Sequence, residues 1–243
     1  MNYFNQYQYD DLLARQNDAY ASAKYRVILR ALSGREPLTI LNAGCGSGEL
    51  SFLLAAAGHT VRGIDPAQEY IALARKSLPP ALAPRCSFEV GTIEGYTARE
   101  PFDAVVATDV LEHIEDDYTA ARALAILVKE GGKLIITVPA MPLFFGFHDE
   151  QLGHFRRYTA ASLGALIQRT SSVTPEILRY FGWTLLPIVF LWSKLLRQPY
   201  PAQAFGEPRR SPLRTLLKWV LAVDAHLPLP FGTSLIFVGR KVR

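Results

Sequence analysis

The chain has 243 residues, of which 49% are hydrophobic and 20% charged, and a net charge of +4. That composition fits one sizeable α/β domain, or a core domain with an insertion, and excludes intrinsic disorder. The mild positive balance is equally compatible with an anionic partner and with an ordinary solvated surface.

Cys45 and Cys86 are the two cysteines, with no CxxC spacing. This argues against thiolate–metal chemistry and for a reducing, cytoplasmic setting. The polar opening "MNYFNQYQYDDLL" lacks the apolar centre of a signal peptide. The longest apolar run, Phe181 to Ser193, spans 13 residues and contains Pro187, which is short of the roughly 20 residues that cross a bilayer.

An aromatic arm (Tyr3, Phe4, Tyr7, Tyr9) leads into a helix expected over residues 10–32, closed by Gly34. From residue 38, strand-like and helix-like segments alternate. "LTILNAG" is a buried strand, "GELSFLLAAAG" a helix, "TVRGID" a second strand and "AQEYIALARKSL" its helix. "SFEVGT" and "FDAVVATD" give strands three and four, a helix runs to about "LAILVKEGG", and "KLIITVPA" is the fifth strand. Such alternation predicts a mostly parallel sheet covered on both faces. "MPLFFGFHDEQLGHFRRY" has no clean period and reads as a long loop before a helix capped by Thr159. "SVTPEILRYFG" is a candidate sixth strand and "GTSLIFVGRKV" a final edge strand, with a proline-rich apolar insertion between them.

The glycine pattern "NAGCGSGEL" decides among ligands. No lysine follows it, so it is not a phosphate-binding P-loop. A dinucleotide loop would need a third glycine where Glu49 stands, and a carboxylate there repels a pyrophosphate. The loop after a first strand resembles that of class I S-adenosylmethionine-dependent methyltransferases. The resemblance extends through "GIDPA", "GTIEGY", "FDAVVATDVLEHIED" and "LVKEGGKLIITVP", covering residues 38–140 in the family's order.

The resemblance implies a Rossmann-like sheet of seven strands, mostly parallel, with a helical insertion between strands six and seven. It implies S-adenosyl-L-methionine as cofactor, held by Asn42, Gly44, Cys45, Gly46, Gly48, Asp65, Pro66, Thr92, Ile93, Asp109 and Val110. Asp65, 17 residues beyond Gly48, takes the ribose hydroxyls; Ile93 packs on the adenine; Asp109 faces the methionine end. Two positions depart from the family, Asn42 and Thr92, where an acidic residue is usual.

On the acceptor side, "FHDEQLGHFRRYT" resembles a loop of a bacterial subgroup of small-molecule enzymes, close to "HDxxLGHxRRYT". His148 and His154 are candidate catalytic bases; His113, Arg156, Arg157 and Tyr158 are candidate acceptor contacts. The competing interpretation pairs Asp149 with an arginine and has the histidines order the loop. No metal centre is expected, since His148 and His154 lack an obvious third ligand. Nucleic acid is disfavoured, because aromatic and basic residues are not interleaved.

The expected organisation is a helical arm over residues 1–36, a core over 37–180 and 231–243, and an apolar insertion over 181–230. In the insertion, apolar residues precede Arg197, Arg209, Arg210, Arg214 and Lys218, a pattern suited to a cap, an interface or peripheral contact with the inner membrane face through 181–218. The implied activity is methyl transfer to a small or lipophilic acceptor, at oxygen, with nitrogen and carbon as alternatives. A cofactor-binding protein without catalysis and a nucleotide-dependent oxidoreductase stay open as alternatives.

Overall fold

The computed structural model describes residues 19–34, 36–198, 224 and 229–242. The aromatic arm, residues 10–18 of the expected first helix, Arg209, Arg210, Arg214 and Lys218 lie outside the described residues.

Seven strands form one sheet in the order β3-β2-β1-β4-β5-β7-β6. β1 (Thr39–Ala43), β2 (Thr60–Asp65), β3 (Cys86–Val90), β4 (Phe102–Thr108) and β5 (Val128–Pro139) pair in parallel. β7 (Ser234–Lys241) runs antiparallel between β5 and β6 (Val173–Phe181). Side chains alternate between faces with a period of two. Leu41, Val105, Leu134, Ile136 and Phe237 therefore enter one core layer, and Ile40, Ala104, Val106, Ile135 and Ile236 the other.

Helices cover both layers. α1 (Ala19–Leu32), α2 (Glu49–Ala56) and α3 (Gln68–Ser77) bring Ile28, Leu32, Leu54 and Ile71 to the second layer. α4 (Asp117–Ile126) and α6 (Ala160–Thr170) bring Leu124, Leu163 and Ile167 to the first. Capping follows the sequence: Asp116 accepts the Thr119 N–H at 3.0 Å, and Thr159 and Ser162 cap each other reciprocally.

Three expectations are corrected. The last strand is not an edge: β7 is buried along six consecutive residues, and β6 is the edge, with Pro175 beside a register shift. Proline donates no ladder hydrogen bond, so an edge is where it fits. "VKEGG" opens β5 and does not end a helix; the pairing slips between Phe102 and Ala104, and Gly131 has φ 72°. The loop after β5 is also partly ordered, with a 3₁₀ turn at Pro142–Phe144 and a short helix α5 (Phe147–Leu152).

The insertion opens with a 3₁₀ turn (Trp183–Leu185), then α7 (Leu186–Val189), which continues as a π-helical turn over Phe190–Leu195. Pro187 sits in the first turn of α7, where a missing N–H costs nothing. Ser193, fully buried, accepts the His148 backbone N–H at 3.1 Å and so docks this segment on α5. Asp224 accepts the Gly182 N–H at 3.1 Å, tying a later part of the insertion to its start. No described helix is long and apolar enough to cross a membrane.

Candidate active site

The predicted site residues lie at or follow the carboxyl ends of β1 to β5, the edge where open α/β sheets bind ligands. Between β1 and α2 the chain turns through Gly44, Gly46 and Gly48, with φ of 68°, 53° and 93°. Only glycine takes such angles freely. At Gly44 there is a second constraint, since a Cβ would lie 2.4 Å from Val110 Cγ2. The turn thus brings its backbone against the segment that follows β4.

Asp65 ends β2 and clamps this turn. Its Oδ2 accepts the Gly46 N–H at 3.0 Å and its Oδ1 the Ala67 N–H at 2.9 Å. Burial raises its pKa, and the two backbone bonds pull it back. Each carboxylate oxygen keeps a further lone pair, the requirement for receiving two ribose hydroxyls. Glu49, in the first turn of α2, is held by the Ser47 hydroxyl at 2.6 Å. The groups present therefore fit an adenosine ligand without phosphates.

The other predicted cofactor residues are distributed as follows. Asn42 is buried, donates to Ser51 Oγ at 2.9 Å, and has an Oδ1 with no hydrogen-bond partner among the described residues. Cys45 is buried, and burial with the nearby Asp65 carboxylate drives its thiol far above the usual range, so it is no nucleophile. Pro66 and Thr92 are exposed and Val110 is half-buried. Ile93 is only 5% exposed, so the core already covers most of the surface expected to meet the adenine.

Asp109 sits just beyond β4 with φ 54°, a left-handed conformation that is costly without glycine. Its carboxylate receives Thr137 Oγ1 at 3.0 Å and the ammonium of Lys24 from α1. Lys24 was not among the residues singled out in the sequence. A signal was present: a lysine on the apolar stripe of α1, beside Ala23, Val27 and Ile28. Tyr20 adds a second tether, its hydroxyl bonding Ser234 Oγ at 2.7 Å and Thr233 Oγ1 at 2.6 Å. α1 therefore covers the edge where the site lies.

The loop after β5 folds back on that strand through an Ala140–Tyr158 bridge. Its centre is Asp149, fully buried in α5. Asp149 Oδ2 accepts the Gly146 N–H at 3.0 Å, while Oδ1 meets His154 Nδ1 at 2.9 Å and Arg157 Nε at 2.8 Å. Burial alone would raise this carboxyl, but the His154 bond and the Arg157 charge and bond outweigh it and hold it at about 2. The arginine pairing of the competing interpretation is thus the one present.

Arg157 and Tyr158 are not the open acceptor contacts expected. Arg157 also donates to the Ala140 carbonyl at 3.3 Å, and the Tyr158 hydroxyl donates to Asp117 at 2.8 Å, burial pushing that phenol up. Arg156 is partly exposed and pairs with Asp117 at 2.9 Å. The two candidate bases part company: His148 sits against Ser193, whereas His154 packs edge-to-face on His113, ring centroids 4.5 Å apart. The Phe155 N–H bonds the Glu112 carbonyl at 2.7 Å, which brings the loop to the turn after β4. Ligand-type atoms of Glu112, His113 and His154 lie within 4.8 Å of one another; His113 is exposed and Glu112 buried. Glu112 drew no attention in the sequence, since nothing local marks a buried glutamate.

Residues 41–136, running from β1 into β5, match the methyltransferase domain family. The human mitochondrial ubiquinone biosynthesis O-methyltransferase is 37% identical over 120 residues, 45% of this chain and 32% of that protein. The ubiquinone biosynthesis O-methyltransferase of Thiobacillus denitrificans is 37% identical over 109 residues, 43% of this chain and 47% of that protein. The match thus spans less than half the length of these curated relatives. Among solved structures, an S-adenosylmethionine dependent methyltransferase from Mesorhizobium loti superposes with a TM-score of 0.61 at 17% identity, covering 90% of this chain and 97% of that one. The N-methyltransferase NodS from Bradyrhizobium japonicum, in complex with S-adenosyl-L-homocysteine, gives 0.60 at 14% identity, covering 93% and 90%. The seven-stranded sheet thus shares the fold of S-adenosylmethionine-dependent methyltransferases, and the part that matches the methyltransferase domain family, residues 41–136, contains the clamped glycine turn.

Proposed function

We propose that this protein transfers a methyl group from S-adenosylmethionine to a hydroxyl oxygen of a small, lipophilic acceptor. The observation that carries the cofactor half is the Gly46–Asp65 clamp, which joins a glycine turn to a carboxylate at the adjacent strand end. Gly44, Gly46 and Gly48 would let the backbone approach the ligand, and Asp65 would hold the ribose. When bound, the cofactor supplies a methyl carbon already activated by a sulfonium. The protein then mainly has to align acceptor and methyl, a contribution of about 7–11 kcal/mol.

Oxygen as the receiving atom is supported by the ubiquinone O-methyltransferases, which share 36–38% identity with this domain. It is also supported by His154, a histidine on the acceptor side with one ring nitrogen, Nε2, that lacks a hydrogen-bond partner among the described residues. His148 is the second candidate base. A lipophilic acceptor agrees with the apolar segment bordering this loop, where Leu143, Phe190, Leu195 and Leu196 are exposed. The same surface suits peripheral contact with a membrane holding such an acceptor.

Calorimetric titration with S-adenosylhomocysteine, with NAD as comparison, tests the cofactor half. Saturable binding of the first alone is expected; binding of NAD alone would overturn the proposal in favour of a nucleotide-dependent oxidoreductase. For the acceptor half, His154→Ala should lose about 10²–10⁴-fold in turnover while keeping its affinity for S-adenosylhomocysteine. Full turnover would leave that histidine a structural role.

A further inference from the structure

His154 is half of a hydrogen-bond arrangement whose other half determines which of its nitrogens can act. Three donors converge on the two oxygens of Asp149: the Gly146 N–H, Arg157 Nε–H and His154 Nδ1. An ionised carboxylate only accepts. The bond at 2.9 Å therefore requires the proton on Nδ1, and the neutral ring carries its lone pair on Nε2. That nitrogen is buried and has no hydrogen-bond partner among the described residues, while the side chain is 5% exposed. His154 clusters with Glu112 and His113, and of the three only His113 is an exposed residue.

We propose that Asp149 is a positioning residue for the methyl-transfer step, fixing His154 so that Nε2 takes the acceptor's hydroxyl proton beside His113. This rests on the reading of the site as an O-methyltransferase. As the acceptor oxygen bonds to the methyl carbon, the carbon–sulfur bond breaks and its electron pair stays on sulfur. The hydroxyl proton passes to Nε2 and leaves later to solvent. Asp149 then faces an imidazolium without taking its proton, as the buried aspartate does in a Ser-His-Asp triad.

Arg157 has a share in this arrangement. It bonds the same oxygen as His154, so the Asp149 charge is already balanced before any proton arrives. In this proposal the route runs past His113, the exposed ring packed edge-to-face against His154, whose movement would open Nε2 to an acceptor.

The substitution Asp149→Asn separates this role from mere packing. An amide offers one accepting oxygen and two donor hydrogens, whereas three donors converge on this position. His154 relieves the clash by moving its proton to Nε2. The experiment is long-range ¹H–¹⁵N correlation on the full chain with ¹⁵N-labelled histidine, His154→Gln supplying the assignment. A chelator is present throughout, so that no cation takes the lone pair. Wild-type protein is expected to show Nδ1 protonated and Nε2 bare, and Asp149→Asn to show the reverse or a mixture.

A wild-type ring carrying its proton on Nε2 would overturn the proposal, and this holds even if Asp149→Asn does not fold. An unchanged tautomer in folded Asp149→Asn would do the same. His113→Ala should leave the tautomer intact and speed diethylpyrocarbonate modification of His154 about tenfold or more; unchanged reactivity would remove the route. Calorimetry with S-adenosylhomocysteine reports separately on the methyltransferase reading, because the tautomer is measured without cofactor or acceptor.

Discussion

Lys24 and Asp109 form an enclosed ion pair that fastens α1 to the carboxyl end of β4, with side-chain exposures of 6% and 17%. Lysine brings its charge into the protein because it meets the Asp109 carboxylate, which Thr137 also bonds, and lies over the Tyr20 ring, whose centroid is 5.1 Å from the ammonium. Lys24→Met leaves the Asp109 carboxylate without its cation. The expected loss is about 3 kcal/mol in urea unfolding. The double substitution with Asp109→Asn should recover a good part of it, and a strictly additive cycle would show that the pair does not hold α1 in place.

Gly44 tests the glycine turn. Its φ of 68° and the 2.4 Å that would separate an added Cβ from Val110 Cγ2 act together against any side chain. Gly44→Ala should cost about 1–3 kcal/mol and weaken S-adenosylhomocysteine binding by calorimetry. Gly46→Arg should abolish binding; retained affinity would move the ligand away from this turn.

Asp65 joins turn stability to ligand recognition, since its oxygens hold the Gly46 and Ala67 N–H groups while facing the proposed ribose position. Asp65→Ala removes charge-assisted bonds worth about 1.5–3 kcal/mol, so affinity for S-adenosylhomocysteine should fall about ten- to a hundredfold. Unchanged affinity would place the ribose contacts elsewhere.

Asp149 predicts a segment of the pH–stability curve. Its carboxyl is held at about 2, below the ordinary 3.8. A depressed carboxyl contributes stability that is present above the unfolded value and is lost as pH falls through the folded one. The contribution, roughly 2 kcal/mol, should therefore disappear between about pH 4 and pH 2. Asp65 and Asp224 run the other way, because burial raises both. Urea midpoints across this range, compared with Asp149→Asn, isolate the share of Asp149; parallel curves would show that its charge adds nothing.

What the sequence determined by itself is what repeats along the chain or follows from one residue's backbone. Alternating apolar segments specified the strands and helices, because period and burial are local properties. Gly44, Gly46 and Gly48 were legible as a ligand loop because few other residues take the left-handed angles it adopts. Asp65 was legible because a strand end fixes where its side chain goes.

The tertiary structure decided what depends on distant partners. β7 entered the sheet between β5 and β6, a choice among edges that no local pattern contains. Lys24 found Asp109 across 85 residues, and Asp149 drew His154 and Arg157 into its own service. Burial sets these outcomes: a charge removed from water takes the partners that the fold brings nearest. That is why Arg157 and Tyr158, apparent acceptor contacts in the sequence, turned inward, while Glu112 and His113 came to stand beside His154.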